Sequence, residues 1–303
     1  MSSTEARHHA RQRALRSLRG LSVGDAIGES LFGSAARVMR HVATGRPPEG
    51  ELRWTDDTQM ALSIVATLEA RDELDPDYLM AGFVQRYDDL RGYGAGARGL
   101  LETVARGGDW RLLAPNMFPG GGSWGNGAAM RVAPLGAWFA EQPERIPEQA
   151  RLSAMPTHAH PEGQAGAIAV AVATAVAWRQ GQQGSLNGHG LLVEVIDACP
   201  PSELRERLVL VAATPFDEDP QLVALRVGSG AQVSAFDTVP FALWCAARHL
   251  GDYRAAFWAT VSGLGDRDTT CAICGGVVAM SSDGPPQEWQ AQREPLPKEF
   301  ELL

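Results

Sequence analysis

Apolar residues recur at spacings of three and four along most of the chain, and alternating strand-like runs are few. This periodicity predicts helices over 14–32, 59–69, 78–87, 100–105, 128–139, 163–178, 191–198, 238–249, 253–262 and 270–280. Residues 165–173 are wholly Ala, Val, Ile and Gly. Side chains this small suit an interior helix packed closely on its neighbours better than a strand. The expected fold class is all-α, a single compact bundle of crossing helices.

Gly- and Pro-rich connections at 45–50, 91–99, 115–127, 181–190 and 228–230 separate the helices. None has the length or composition of an interdomain linker, and there is no internal repeat. Residues 12–295 are therefore read as one domain, with 1–11 and 296–303 as surface termini. The apolar run 165–178 is too short and too Ala-rich to span a membrane. A net charge of −9 over 303 residues, with arginines scattered and Lys298 the one lysine, argues against a nucleic-acid partner. A lone lysine near the end of the chain also argues against Schiff-base chemistry. Cys199, Cys245, Cys271 and Cys274 do not make a disulfide framework in a chain of this length, and nothing resembles a secretion signal, so a cytoplasmic protein is expected. Cys271 and Cys274 form a C-x-x-C with no second pair. They lie in a small-residue apolar segment and read as buried helix residues.

Two acidic clusters change this picture. Thr55-Asp56-Asp57-Thr58 and Asp266-Arg267-Asp268-Thr269 lie near opposite ends of the chain, and each opens an apolar segment. Carboxylates and hydroxyls without neighbouring Cys or His suit Mg²⁺, Mn²⁺ or Ca²⁺ rather than zinc. Helix capping is the competing explanation, and Asp56 with Gln59 even has capping-box spacing. A cap needs one side-chain oxygen, however, and each cluster offers several that repel one another without a cation or solvent.

Further candidates follow the same logic. On the first helix Leu18, Leu21, Asp25, Gly28 and Phe32 share one face, and Glu29 falls one turn after Asp25 on that stripe. Two carboxylates on an apolar face need a cation or several donors, and Arg53 and Arg131 are the candidate ion-pair partners. The loop 119–127, Gly-rich and containing Ser123, Trp124 and Asn126, leads into a predicted helix and offers backbone N–H groups to an anion. Trp124 either stacks on a ligand or plugs the loop onto the core. His158 and His160 form an H-x-H in which, if extended, only one imidazole faces a site. Segments 92–96 and 228–230 are further candidate pocket walls, the second read rather as a plain turn.

Taken in order, Gly20-Leu21-Ser22-Val23-Gly24-Asp25-Ala26-Ile27-Gly28, Trp54-Thr55-Asp56-Asp57-Thr58, Ser123-Trp124-Gly125-Asn126-Gly127-Ala128-Ala129-Met130-Arg131, Thr157-His158 and Gly265-Asp266-Arg267-Asp268-Thr269 resemble the ADP-ribosylglycohydrolase family, over nearly the whole chain. The resemblance implies an all-α fold with two Mg²⁺ ions, Mn²⁺ being an alternative, in a central cleft. It implies metal ligation by Thr55, Asp56 and Asp57 on one side and by Asp266, Asp268 and Thr269 on the other. ADP-ribose, free or joined to a protein or small molecule, would contact Asp25, Gly122, Ser123, Trp124, Gly125, Asn126 and His158. Asp56, Asp57 and Glu29 are the candidate catalytic carboxylates for hydrolysis of a glycosidic bond.

One position departs from the family pattern. A glutamate expected seven residues after the first-helix Asp is Phe32 here, and Glu29 is the carboxylate that remains on that face. This keeps open a non-catalytic ADP-ribose binder as an alternative function. A metal-dependent amidohydrolase using His158 and His160 is a further one. Leu264 also replaces a glycine that often precedes Gly265.

Overall fold

Each segment with helical periodicity contains a helix in the computed structural model, which describes residues 3–301. The order begins α1 (Ser3–Ser30), α2 (Ala35–Thr44), α3 (Asp56–Arg71), α4 (Pro76–Arg86) and α5 (Ala95–Ala105). Two single turns, α6 (Trp110–Leu113) and α7 (Met117–Gly120), precede α8 (Ala133–Trp138), α9 (Ile146–Ala154), α10 (Pro161–Gln183) and α11 (Gly188–Ala198). The chain closes with α12 (Glu203–Ala212), α13 (Pro220–Val227), α14 (Ala235–Arg248), α15 (Tyr253–Val261), α16 (Arg267–Val278) and α17 (Gln287–Gln292). Among the described residues no strand forms, so the all-α, single-domain expectation holds. No helix of these residues is long and apolar enough to cross a membrane.

The termini of many helices are set by local chemistry. Thr55, Asp75, Asn187, Ser202, Asp219 and Asp252 each accept a backbone N–H at a helix start. The helices that periodicity missed, α9, α12 and α13 among them, are short, and α12 and α13 carry outward-facing Val209, Leu210, Leu222 and Leu225, which blur the apolar stripe.

The site is positioned by α1 lying along α16. Gly20, Gly24 and Gly28 repeat every four residues on α1, and a Cβ on each would lie 2.2–2.3 Å from the carbonyl oxygens of Gly275, Cys271 and Arg267. Only hydrogen side chains allow this backbone approach. It sets Asp25 of α1 beside the first turn of α16. Cys271 and Cys274 are free and buried within the same packing, as expected.

The chain ends are surface termini only in part: residues 4–9 and 297–299 are exposed or half-buried. α1 already runs from Ser3, with Ala10 buried, and Leu296 and Phe300 are buried in the core. Residues 292–294 pair with Leu52, whose N–H donates to the Gln292 carbonyl at 2.7 Å while its carbonyl accepts from Glu294 N at 2.8 Å. Apolar side chains among the prolines of the tail account for this burial. Residues 1, 2, 302 and 303 lie outside the described residues.

Candidate metal and substrate site

Asp25 is fully buried, and its partner is not an arginine. Its carboxylate accepts Thr55 N at 2.9 Å, Thr55 Oγ1 at 2.9 Å, Thr58 N at 3.1 Å and Thr58 Oγ1 at 2.5 Å. It thereby ties the start of α3 to α1. Arg53 is exposed and turned toward Glu294, and Arg131 bonds elsewhere. The cap of α3 is Thr55, which accepts from Asp57 N at 3.3 Å, and Gln59 turns away to accept from Tyr93 Oη at 2.8 Å and Asp88 N at 3.2 Å. Capping-box geometry is absent, and Asp56 and Asp57 are left without a capping task.

The second cluster behaves alike. Asp266 occupies the N-cap position of α16 without capping it, and its Oδ2 accepts Asn126 Nδ2 at 2.7 Å. The same Asn126 nitrogen donates to Thr238 Oγ1 at 3.1 Å, so the Gly-rich loop is tied to the second cluster. Behind Asp266 stands the segment 228–230, which is more than the plain turn expected. Asp266 N donates to Ser229 O at 3.0 Å, and a Cβ on Gly230 would lie 2.5 Å from Asp266 Cβ. Leu264, where the family often has glycine, takes a left-handed φ of 61°. Backbone strain of this kind collects at functional sites.

The carboxylates of the two clusters load one another electrostatically. Burial pushes Asp25 up to about 6 against the pull of its four donors. Burial and then Asp25 push Asp56 up to about 7. Asp57 is held well above the ordinary range by burial, Asp25 and Asp268, and Asp268 by burial, Asp266 and Asp25. Asp57 Oδ1 and Asp268 Oδ1 are buried without a hydrogen-bond partner. Thr269 is buried beside Asp268. Unpaired buried oxygens among mutually repelling carboxylates fit a hard cation by their donor chemistry. Among the described residues, however, no three His, Cys, Asp or Glu side chains are grouped so that they could hold a metal ion.

Glu29 corrects the helical-stripe expectation. It lies in the last turn of α1 and is exposed, while Asp25, Ile27 and Leu31 around it are buried. It still feels the site: reduced hydration and Asp266 raise its carboxyl, and Arg267 lowers it. Phe32, past the helix end, is 41% exposed with the Arg267 guanidinium 4.5 Å over its ring. The lip that would have carried a carboxylate thus carries a cation–π pair.

The Gly-rich loop enters a single 3₁₀ turn, Asn126–Ala128, and α8 starts only at Ala133. Its N–H groups are less free than expected: Gly122 donates to Met117 O, Gly125 to the buried Ser123 Oγ and Asn126 to Val233 O. Gly122 has φ 75°, and a Cβ there would meet His160 N at 2.7 Å, so the loop lies directly on residues 158–160. Trp124 does not plug the core. It is 40% exposed, 5.5 Å from the Phe118 ring and 5.7 Å from that of His160. The two histidines have separate tasks. His160 Nδ1 accepts Glu162 N at 3.1 Å as the cap of α10, and His158 Nδ1 meets Thr157 Oγ1 at 2.8 Å. Gly125 and Gly127 accommodate the His158 ring, since a Cβ on either would stand 3.1–3.2 Å from Nε2.

Several residues around the site were not singled out for these roles from sequence. Tyr93 and Gln59 hold the 88–93 loop beside Asp56. Arg91 stacks 3.4 Å over Trp54, donates to the Trp54 carbonyl at 2.9 Å and grips Glu294 at 2.7 and 2.9 Å. This clamp fixes the residue preceding the first cluster. An Arg two positions after a Tyr-Asp-Asp segment carries no distinctive signal, because its partners come from remote parts of the chain. A cavity of about 470 Å³ lies nearer the other end of α1, lined by Arg13, Arg16, Arg19 and Trp178. There Arg13 caps the carbonyls of Ala137 and Trp138, and Arg16 those of Ala279 and Ser282, so these two arginines are occupied by helix ends.

Comparison with known proteins converges on one family. The ADP-ribosylglycohydrolase family model matches residues 6–301. ADP-ribosylhydrolase ARH3 of Homo sapiens is 30% identical, the alignment covering 91% of this chain and 88% of that protein. An uncharacterized protein of Archaeoglobus fulgidus is 28% identical over 89% of this chain and 88% of its own. A solved ADP-ribosylglycohydrolase-related protein complex superposes with a TM-score of 0.63 at 26% identity, covering 93% of this chain and 92% of that one. With both acidic clusters, the Asp25 tie and the Trp124 loop lying within the matched span, the chain belongs to the ADP-ribosylglycohydrolase family.

Proposed function

We propose that this protein is a Mg²⁺-dependent ADP-ribosylhydrolase that cleaves the N- or O-glycosidic bond joining ADP-ribose to a protein side chain or related small molecule. The observation that carries this reading is the packing of the two acidic clusters against Asp25, with Asp57 Oδ1 and Asp268 Oδ1 buried and unpartnered. Thr55, Asp56, Asp57, Asp266, Asp268 and Thr269 would hold two Mg²⁺ or Mn²⁺ ions. The ions would supply Lewis acidity at the ribose and at the attacking water.

The chain's own residues have distinct tasks in this reading. Asp25 fixes Thr55 and Thr58, and Asn126 holds Asp266. A carboxylate among Asp56, Asp57 and Glu29 takes the proton of the attacking water, and those beside the ring stabilise the oxocarbenium-like charge. ADP-ribose lies along Gly122, Ser123, Gly125 and Asn126, with the exposed ring of Trp124 over it and His158 assisting from the wall. The four free cysteines support placing the protein in the reducing cytoplasm.

With Mg²⁺ added, the purified protein should release ADP-ribose from an arginine-, serine- or base-linked substrate, and Asp56→Ala and Asp268→Ala should each lower kcat by roughly 10²-fold or more. Absence of release from all three, with ADP-ribose binding unchanged in both variants, would overturn the reading. The cation–π lip at Phe32 favours a second reading, a binder without turnover. Calorimetry would then show tight ADP-ribose binding with no product, and Phe32→Glu would restore hydrolysis.

A further inference from the structure

Arg131 is fully buried, makes no ion pair among the described residues, and lies with its guanidinium 4.7 Å over the Phe83 ring. Its Nη2 donates to the Ser153 carbonyl at 2.9 Å and to Thr157 Oγ1 at 2.8 Å. A guanidinium only donates, so Thr157 Oγ1 is the acceptor in that bond. The hydroxyl has one proton left to place. Its two outlets are His158 Nδ1 at 2.8 Å and the Ala154 carbonyl at 3.5 Å, the limit of hydrogen bonding.

Electrostatics decides between them. An Nδ1–H pointing at Thr157 would direct a second positive dipole toward the Arg131 cation through a shared oxygen. An Nδ1 lone pair pointing there is attracted instead. From this chain of contacts we infer that Arg131, acting through Thr157, fixes His158 as the tautomer with its proton on Nε2. Nε2 has no hydrogen-bond partner among the described residues, and it faces the Gly125–Gly127 loop. His158 therefore offers a constant hydrogen-bond donor to an acceptor oxygen at that loop and does not act as a base. Burial, with the Arg131 charge second, depresses the imidazolium to about 3, which keeps the ring neutral. Arg131 is in this sense a positioning residue, 27 positions before the ring it orients only in number: α9 brings the two together.

The identity of the acceptor as ADP-ribose rests on the function proposed above, whereas the tautomer can be read without any ligand. Long-range ¹H–¹⁵N NMR of the imidazoles in uniformly labelled full-length protein, assigned with His158→Gln, should show the His158 proton on Nε2. Arg131→Met removes the bond to Ser153 as well, so Thr157→Val, nearly isosteric, carries the test and Thr157→Ser is its conservative partner. Thr157→Val should give a mixture of tautomers and weaken ADP-ribose binding by about tenfold, the size of one modest hydrogen bond, while Thr157→Ser retains both properties. A wild-type proton on Nδ1, or an unchanged tautomer in Thr157→Val, overturns the relay. The expected tautomer pattern in a protein that does not bind ADP-ribose supports the relay and overturns the reading of the site as an ADP-ribose cleft.

Discussion

Asp25 shows how a single side chain can be costly in isolation and indispensable in place. Burial still dominates its protonation, yet four donors converge on it from one helix start. Asp25→Ala leaves Thr55 N and Thr58 N without acceptors, and the expected loss is about 2–4 kcal/mol. It should appear in urea titration as a lower midpoint at unchanged slope. His158 gives a pH signature of opposite sign to that of the acidic residues. Above its ordinary value of 6.5 the folded and unfolded rings are both neutral. As pH falls from 6.5 toward about 3 the unfolded chain takes up a proton that the folded one refuses, so stability declines through that window. Asp25 and Asp56, raised from 3.8 to about 6 and about 7, bind protons more readily when folded and gain stability over the same fall. The comparison that isolates His158 is therefore between wild type and His158→Gln: urea midpoints at pH 7.5 and pH 5 should show a smaller acid loss, or a larger acid gain, in the variant.

At the scale of elements, the α1–α16 contact determines whether the site exists. Gly24→Ala would place a methyl group 2.2 Å from Cys271 O, against backbone that cannot rotate away. We expect a destabilisation of about 3 kcal/mol, measured by thermal or urea unfolding, because helix axes rather than rotamers must move. This contact also marks what could be read from sequence. Most of the helices, the two acidic clusters and the loop around Trp124 were legible because periodicity and spacing are local properties. Gly20, Gly24 and Gly28 recur visibly, but nothing local says that they face α16. Glu29 was misplaced for a related reason: a helical wheel gives the face of a residue, not whether another element covers that face at that turn. The mutual dependence of Arg91, Trp54 and Glu294, and of Arg131 and His158, is tertiary and has no signature in spacing.

At the scale of the molecule, buried negative charge at the meeting point of α1, α3 and α16 opposes the packing that created it. A cation bound only by the folded form should relieve this. Protein stripped with a chelator should gain about 2.7 kcal/mol when Mg²⁺ is restored to 100 times its Kd, seen as a rise in Tm by calorimetry. An unchanged Tm over the full range of Mg²⁺ would count against a metal at these carboxylates.

The Arg91–Glu294 clamp has a consequence for the order in which the protein is made. Residues 54–58, carrying carboxylates that repel one another, are synthesised about two hundred residues before their counterpart at 266–269 and before the Glu294 that helps the Arg91 clamp secure Trp54. The nascent chain must therefore carry half a site, without its closing partner, until that later stretch has been made.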